Sequence, residues 1–156
     1  MQQTIYKPRV AVTLNPAVLQ DVTHEMQEMG FTPSTLTPQN ATYRSGDRYV
    51  TFVLNDGAVY TRLGVGSHDL SEHNINAMRL DEMIKLLFGG MQRGCHPLTD
   101  ETLHACLASA MSDLKEFAHE FLRGDFRPFL RVLAIKHRED VAAEGAKKPN
   151  DQIYMA

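Results

Sequence analysis

Apolar residues recur at helical spacing near the start of the chain, alternate in its middle, and return to helical spacing towards the end. Residues 1–14 alternate weakly through Val10, Val12 and Leu14, a pattern open to a short strand or an extended arm. Asn15-Pro16 then reads as a helix start, with Asn15 as N-cap and Pro16 at the first helical position. Val18, Leu19, Val22, Met26 and Met29 form the apolar stripe of that helix, and Gly30 supplies its stop. The next stretch, FTPSTLTPQN, contains Pro33 and Pro38, so regular structure throughout is not expected there.

From Ala41 to Gly64 the period is two. Tyr43 precedes a Ser45-Gly46-Asp47 turn, after which Tyr49, Thr51 and Val53 alternate with Val50, Phe52 and Leu54. Asn55-Asp56-Gly57 is a strong hairpin turn, because Asn and Gly tolerate the positive φ angles such turns demand. Ala58 to Leu63 returns as a third strand. Residues 64–77, GVGSHDLSEHNINA, read as a polar loop, and Leu80 to Phe88 as a short helix ending at Gly89-Gly90. Thr99 is the expected cap of a long helix, with Asp100 and Glu101 in its first turn, where carboxylates suit the positive helix end. Its stripe runs from Leu103 through Cys106, Leu107, Met111, Leu114, Phe117 and Ala118 to Phe121 and Leu122, and Gly124 breaks it. Asp125 then caps a final helix through Phe129, Leu130, Leu133 and Val141, before a tail expected to be disordered over residues 146–156.

Helices and strands are segregated along the chain, so the expected class is α+β. The architecture predicted is a three- or four-stranded antiparallel meander packed against an N-terminal helix and three C-terminal helices, all within one domain over residues 1–145. A length of 156 residues suffices to bury a core without metal or disulfide. Cys95 and Cys106 are too few for a disulfide framework and fit a reducing compartment. No signal-peptide segment or bilayer-length apolar run is present, which predicts a cytoplasmic protein. The formal net charge of -3 argues against nucleic acid and anionic membranes as partners.

Candidate chemistry is sparse. His68, Asp69, Glu72 and His73 place two imidazoles and two carboxylates within six residues, a set able to bind zinc or move protons. Their H-x4-H spacing does not put both rings on one helix face, and no third ligand is announced. A solvated loop that contacts a partner is the favoured reading; a metal-dependent hydrolase built on those four residues is the alternative. Cys95-His96 are sequence neighbours and lack the separate-element geometry of a nucleophile and its base. Cys106 reads as a buried small hydrophobe, and His104 and His119 as exposed or hydrogen-bonded. Gly64-Val65-Gly66 lacks the remaining glycine and the βαβ context of a phosphate loop, and reads as a flexible strand exit. No catalytic, metal or cofactor site is therefore assigned.

Charge is uneven along the chain, with net -5 over residues 1–122 and net +2 over 123–156. Asp69, Glu72, Asp81 and Glu82 gather around the loop and short helix, and Asp113, Glu116 and Glu120 recur along the long helix. Arg123, Arg127 and Arg131 lie four residues apart and would form one basic stripe where helical, with Lys136 and Arg138 beyond. A self-associating adaptor, dimerising through its apolar helices, is a third reading.

Two stretches, YRSGDRYVTFVLNDGAVYTRLG and DLKEFAHEFLRGDFRPFLRVLAIKHRED, together resemble small immunity proteins of bacterial polymorphic-toxin systems, including those of contact-dependent growth inhibition. The resemblance covers residues 16–140 as a pattern of elements and carries no catalytic residues. It implies a cytosolic antitoxin that binds the C-terminal domain of one cognate toxin, many such toxins being nucleases with basic clefts. Such an inhibitor needs a rigid scaffold and roughly 800 Å² of surface per partner, not a reagent. The 64–79 loop with His68, Asp69, Glu72, His73, Asp81 and Glu82 is the first expected contact surface; Arg123, Arg127 and Arg131 are the second.

Overall fold

The computed structural model describes residues 12–55, 57–66, 76–89 and 98–155, with side chains as far as residue 143. The element order is α1 (Gln20–Glu28), β1 (Thr32–Leu36), β2 (Asn40–Ser45), β3 (Arg48–Asn55), β4 (Ala58–Val65), β5 (Ala77–Arg79), α2 (Leu80–Phe88), α3 (Leu103–Phe117), α4 (His119–Leu122) and α5 (Arg127–Met155). The strands form one sheet in the order β1-β2-β3-β4-β5, each antiparallel to its neighbour. The class is α+β, as expected, but with five strands in place of three or four.

The two additional strands lie at the sheet edges. Pro33 cannot donate to a ladder, which excludes it from a central strand but not from an edge. β1 is such an edge: all five residues are exposed, and its register with β2 slips between Pro33 and Thr35. β5 is three residues long and pairs Arg79, Met78 and Ala77 with Arg62, Leu63 and Gly64, taking the end of the expected loop into the sheet.

Period-two alternation separates the faces. Ala41, Tyr43, Val50, Phe52, Leu54, Leu63 and Met78 share one side and belong to a single buried cluster with the helices. Leu19, Val22 and Met26 reach it from the first helical segment, Met83 and Ile84 from α2, Leu107, Met111 and Leu114 from α3, and Phe129 and Val132 from α5. Full burial of each large apolar side chain contributes about 1.5–3 kcal/mol. Thr42, Tyr49, Thr51, Tyr60, Arg62 and Arg79 stand on the other side of the sheet. There Thr42 and Thr51, directly paired across β2 and β3, bring their buried hydroxyls to 2.9 Å.

Helix ends follow local chemistry. Asn15 Oδ1 accepts the Val18 N–H at 3.0 Å, capping a turn that precedes the regular helix from Gln20. At the other end Gly30 (φ 87°) lets Phe31 N–H reach Met26 O at 2.9 Å and its own N–H reach Gln27 O at 3.0 Å, closing α1 in a Schellman arrangement. Thr99 Oγ1 accepts Thr102 N–H at 3.2 Å, so Asp100 and Glu101 occupy a capped turn ahead of α3. The long helix expected to reach Leu122 is interrupted at Ala118 (φ -116°), dividing it into α3 and α4 and raising the helices after the sheet from three to four. α5 continues to Met155, through the stretch from residue 146 assigned to a tail. Ala142, Ala143, Glu144, Ala146, Lys147 and Lys148 are good helix formers and offset Gly145 and Pro149 there.

Candidate partner-binding face

The expected contact residues divide sharply. His68, Asp69, Glu72 and His73 lie outside the described residues, as do Cys95 and His96. Asp81 and Glu82 open α2, and both have partners within the chain. The Arg79 guanidinium donates to Asp81 from Nε at 2.9 Å and again from Nη2, and it stacks 4.1 Å above the Tyr60 ring. Hydrogen bonding to Asp81 raises the Arg79 pKa, against a smaller opposing effect of burial. Asp81 Oδ1 also accepts Glu82 N–H at 3.0 Å. Glu82 lies 3.7 Å from Lys136 Nζ, linking α2 to α5. Much of the negative charge at this end of α2 is thus balanced internally.

The arginines are not one helical stripe. Arg123 caps the end of α4, and Gly124 (φ 94°) separates it from α5. Arg127 folds back on Asp125: Oδ1 accepts the Arg127 Nε at 3.0 Å and backbone N–H at 3.1 Å, while Oδ2 accepts Nη2 at 3.0 Å. These bonds from the Arg127 side chain, then its backbone, hold the exposed Asp125 carboxyl at a pKa of about 2, with a further contribution from Arg123. Arg131 projects from α5 and is exposed. Two of the three carboxylates expected along the long helix also part company: Asp113 is half-buried on a cleft wall beside β4 and α2, whereas Glu120 borders a different cleft at α4.

That second cleft holds what the charge pattern concealed. At the end of α2, Leu87 and Phe88 are 36% and 52% exposed. The Phe88 ring lies 5.2 Å from the Phe117 ring, at the mouth of a cleft of about 180 Å³ floored by Met83, Phe121 and Phe129 and bordered by Glu120 and Pro128. Leu86-Leu87-Phe88-Gly89 was a usable signal, because three successive apolar residues cannot all face the core from one helix. A larger groove of about 640 Å³ separates α1 from β1 and β2, but its α1 wall is polar (Gln20, Asp21, Thr23, His24). Pro33 and the bulge blunt the neighbouring strand edge.

Cys106 is half-buried on the wall of the β4–α2–α3 cleft, with Sγ 4.0 Å from Thr102 Oγ1, and so is not the fully buried residue expected. His104 and His119 are exposed on α3 and α4. Gly64 belongs to β4 and is paired with Tyr49, so its role is in packing and not in a flexible exit. Among the described residues no group of three His, Cys, Asp or Glu side chains is placed to hold a metal ion, and no helix is long and apolar enough to cross a membrane.

Comparison of the chain with protein-family models, with curated proteins and with solved structures yields no match. The arrangement of side chains is therefore what bears on function. An exposed aromatic on an apolar cleft, beside charged groups on rigid helices, suits recognition of a protein surface.

Proposed function

We propose that this chain is an immunity protein, which binds one secreted toxin domain, a nuclease in the reading set out above, and neutralises it by stoichiometric association. The observation that carries the reading is the half-exposed Phe88, seated on Phe117 at the edge of the α2–α4–α5 cleft. Binding energy concentrates in a few apolar anchors surrounded by a polar rim, and here Glu120 supplies a rim charge at the border of the cleft. Asp81 and Glu82 flank the same helix at its other end, so a partner laid along α2 meets them as well.

The test starts from the neighbouring reading frame: where a large secreted protein with a variable C-terminal domain is encoded immediately upstream, that domain is titrated calorimetrically against this chain, with an assay of toxin activity in parallel. A one-to-one complex that abolishes activity, weakened at least tenfold by Phe88→Ala, is the expected result. Absence of a complex with that domain defeats the reading. Charge reversal at Asp69 and Glu72 in the same titration decides whether the preceding loop contributes.

A further inference from the structure

α5 presents a second exposed face, on the side opposite its core contacts. Phe129 and Val132 are buried, whereas Leu130 and Val141 are 51% and 53% exposed, high values for large aliphatic side chains. Those two residues are separated by three helical turns, about 16 Å, and therefore point the same way. Ala134 and His137, also exposed, lie between them, giving a continuous stripe at i, i+4, i+7 and i+11. At 100° per residue, Arg127, Arg131 and Arg138 all fall along one flank of it, and Asp140 falls on the other. Arg127 is engaged by Asp125, while Arg131 and Arg138 form no ion pair among the described residues.

A stripe of three aliphatic residues and one histidine, bordered by arginines, has one well-matched occupant. We infer that the outer face of α5, centred on Leu130, Ala134, His137 and Val141, docks an acidic amphipathic helix of a partner protein. The small Ala134 at the centre lets a second helix approach closely, and carboxylates along that helix meet Arg131 and Arg138 while its apolar side covers Leu130 and Val141. A second copy of α5 is a poor occupant: packed antiparallel with Leu130 over Val141, it would set Arg131 beside the partner copy's Arg138. Nucleic acid would leave Leu130 and Val141 uncovered. The inference goes beyond the toxin-binding reading and does not depend on it, because the face is separate from the Phe88 cleft.

The experiment uses the full chain and a fluorescent synthetic helix of Glu, Ala and Leu with leucines at i, i+4, i+7 and i+11. Anisotropy should report saturable binding that weakens as salt rises, and Arg131→Glu or Leu130→Asp should lower affinity about tenfold. The thermal midpoint should stay near that of the native chain, since both side chains are exposed. Amide shifts on titration should map to residues 127–141 and spare Leu87 and Phe88. No binding, binding unchanged by Leu130→Asp with Val141→Asp, or stronger saturation of the stripe by phosphatidylglycerol vesicles or duplex RNA would each overturn the inference. Neutralisation of toxin with no response to the acidic helix would defeat this proposal alone; the converse result would defeat only the immunity reading.

Discussion

The ring of Tyr49 lies across Gly64, its directly paired neighbour on β4. A Cβ built on Gly64 would stand 2.2 Å from Tyr49 Cζ and 2.3 Å from its hydroxyl oxygen, well inside any tolerable contact. Tyr49 is fully buried, so the ring has no open space into which it can swing. Gly64→Ala should therefore destabilise the fold by about 2–3 kcal/mol, the upper range for overpacking. Urea denaturation should show a lower midpoint with unchanged slope. In a double-mutant cycle with Tyr49→Leu the two losses should sum to more than the double variant shows, because removing the ring removes the clash. Strict additivity would rule out the contact as the cause.

How much of this was legible beforehand depended on whether a signal was local. β2, β3 and β4 announce themselves because Tyr49–Leu54 alternates over its whole length and Asn55–Gly57 must turn. β1 was hidden by Pro33, since a proline tells against a central strand and nothing nearby reveals that this one is at an edge. β5 is too short to carry a period and exists through its pairing with Arg62–Gly64. The break at Ala118 has no glycine or proline to mark it. Among the site residues, the charges at Asp81, Glu82 and Arg127 were plain, but their partners were not: Lys136 is distant in sequence from Glu82 and meets it only when α5 packs on α2.

Arg48 ties β3 to the far end of the chain. Its Nη2 donates to Leu122 O at 3.0 Å, satisfying a carbonyl at the end of α4, and its guanidinium sits 4.9 Å over the Phe31 ring. Hydrogen bonds from charged donors contribute about 1.5–3 kcal/mol. Arg48→Met, which keeps the stem and loses the fork, should cost about 2 kcal/mol in urea denaturation. Arg48→Lys should recover only part, because an ammonium cannot both lie flat on Phe31 and reach Leu122. Amide exchange at Phe121–Gly124 should accelerate in Arg48→Met; protection equal to that of the native chain would show that α4 does not rely on this bond.

Asp125 gives the fold an acid-sensitive joint. Its carboxyl titrates at about 2, lowered from the ordinary range near 4 by the Arg127 hydrogen bonds. A depressed carboxyl favours the folded state above the unfolded pKa and loses that contribution as pH falls through the folded value. Native and Asp125→Ala chains should thus differ in thermal midpoint at pH 6, and the difference should shrink between pH 4 and pH 2. A gap that stays constant across that window would mean that Asp125 acts without its charge.

Phe88 and Phe117 make a pair in which one ring should matter for folding and the other for binding. Phe117 is 8% exposed and belongs to the core cluster, so Phe117→Ala should cost about 3–5 kcal/mol, as large-to-small core changes do. Phe88 is 52% exposed and loses mainly its contact with Phe117, so Phe88→Ala should cost about 1 kcal/mol. Sedimentation at micromolar concentration adds the decisive readout. If the Leu87–Phe88 edge is reserved for a foreign protein, the native chain should sediment as a monomer, and Phe88→Ala should leave that mass unchanged. A native dimer that Phe88→Ala dissociates would instead assign the edge to self-association, as the adaptor reading requires. The stability cost of Phe88→Ala separates these outcomes from unfolding, because a loss near 1 kcal/mol leaves the helices intact by circular dichroism.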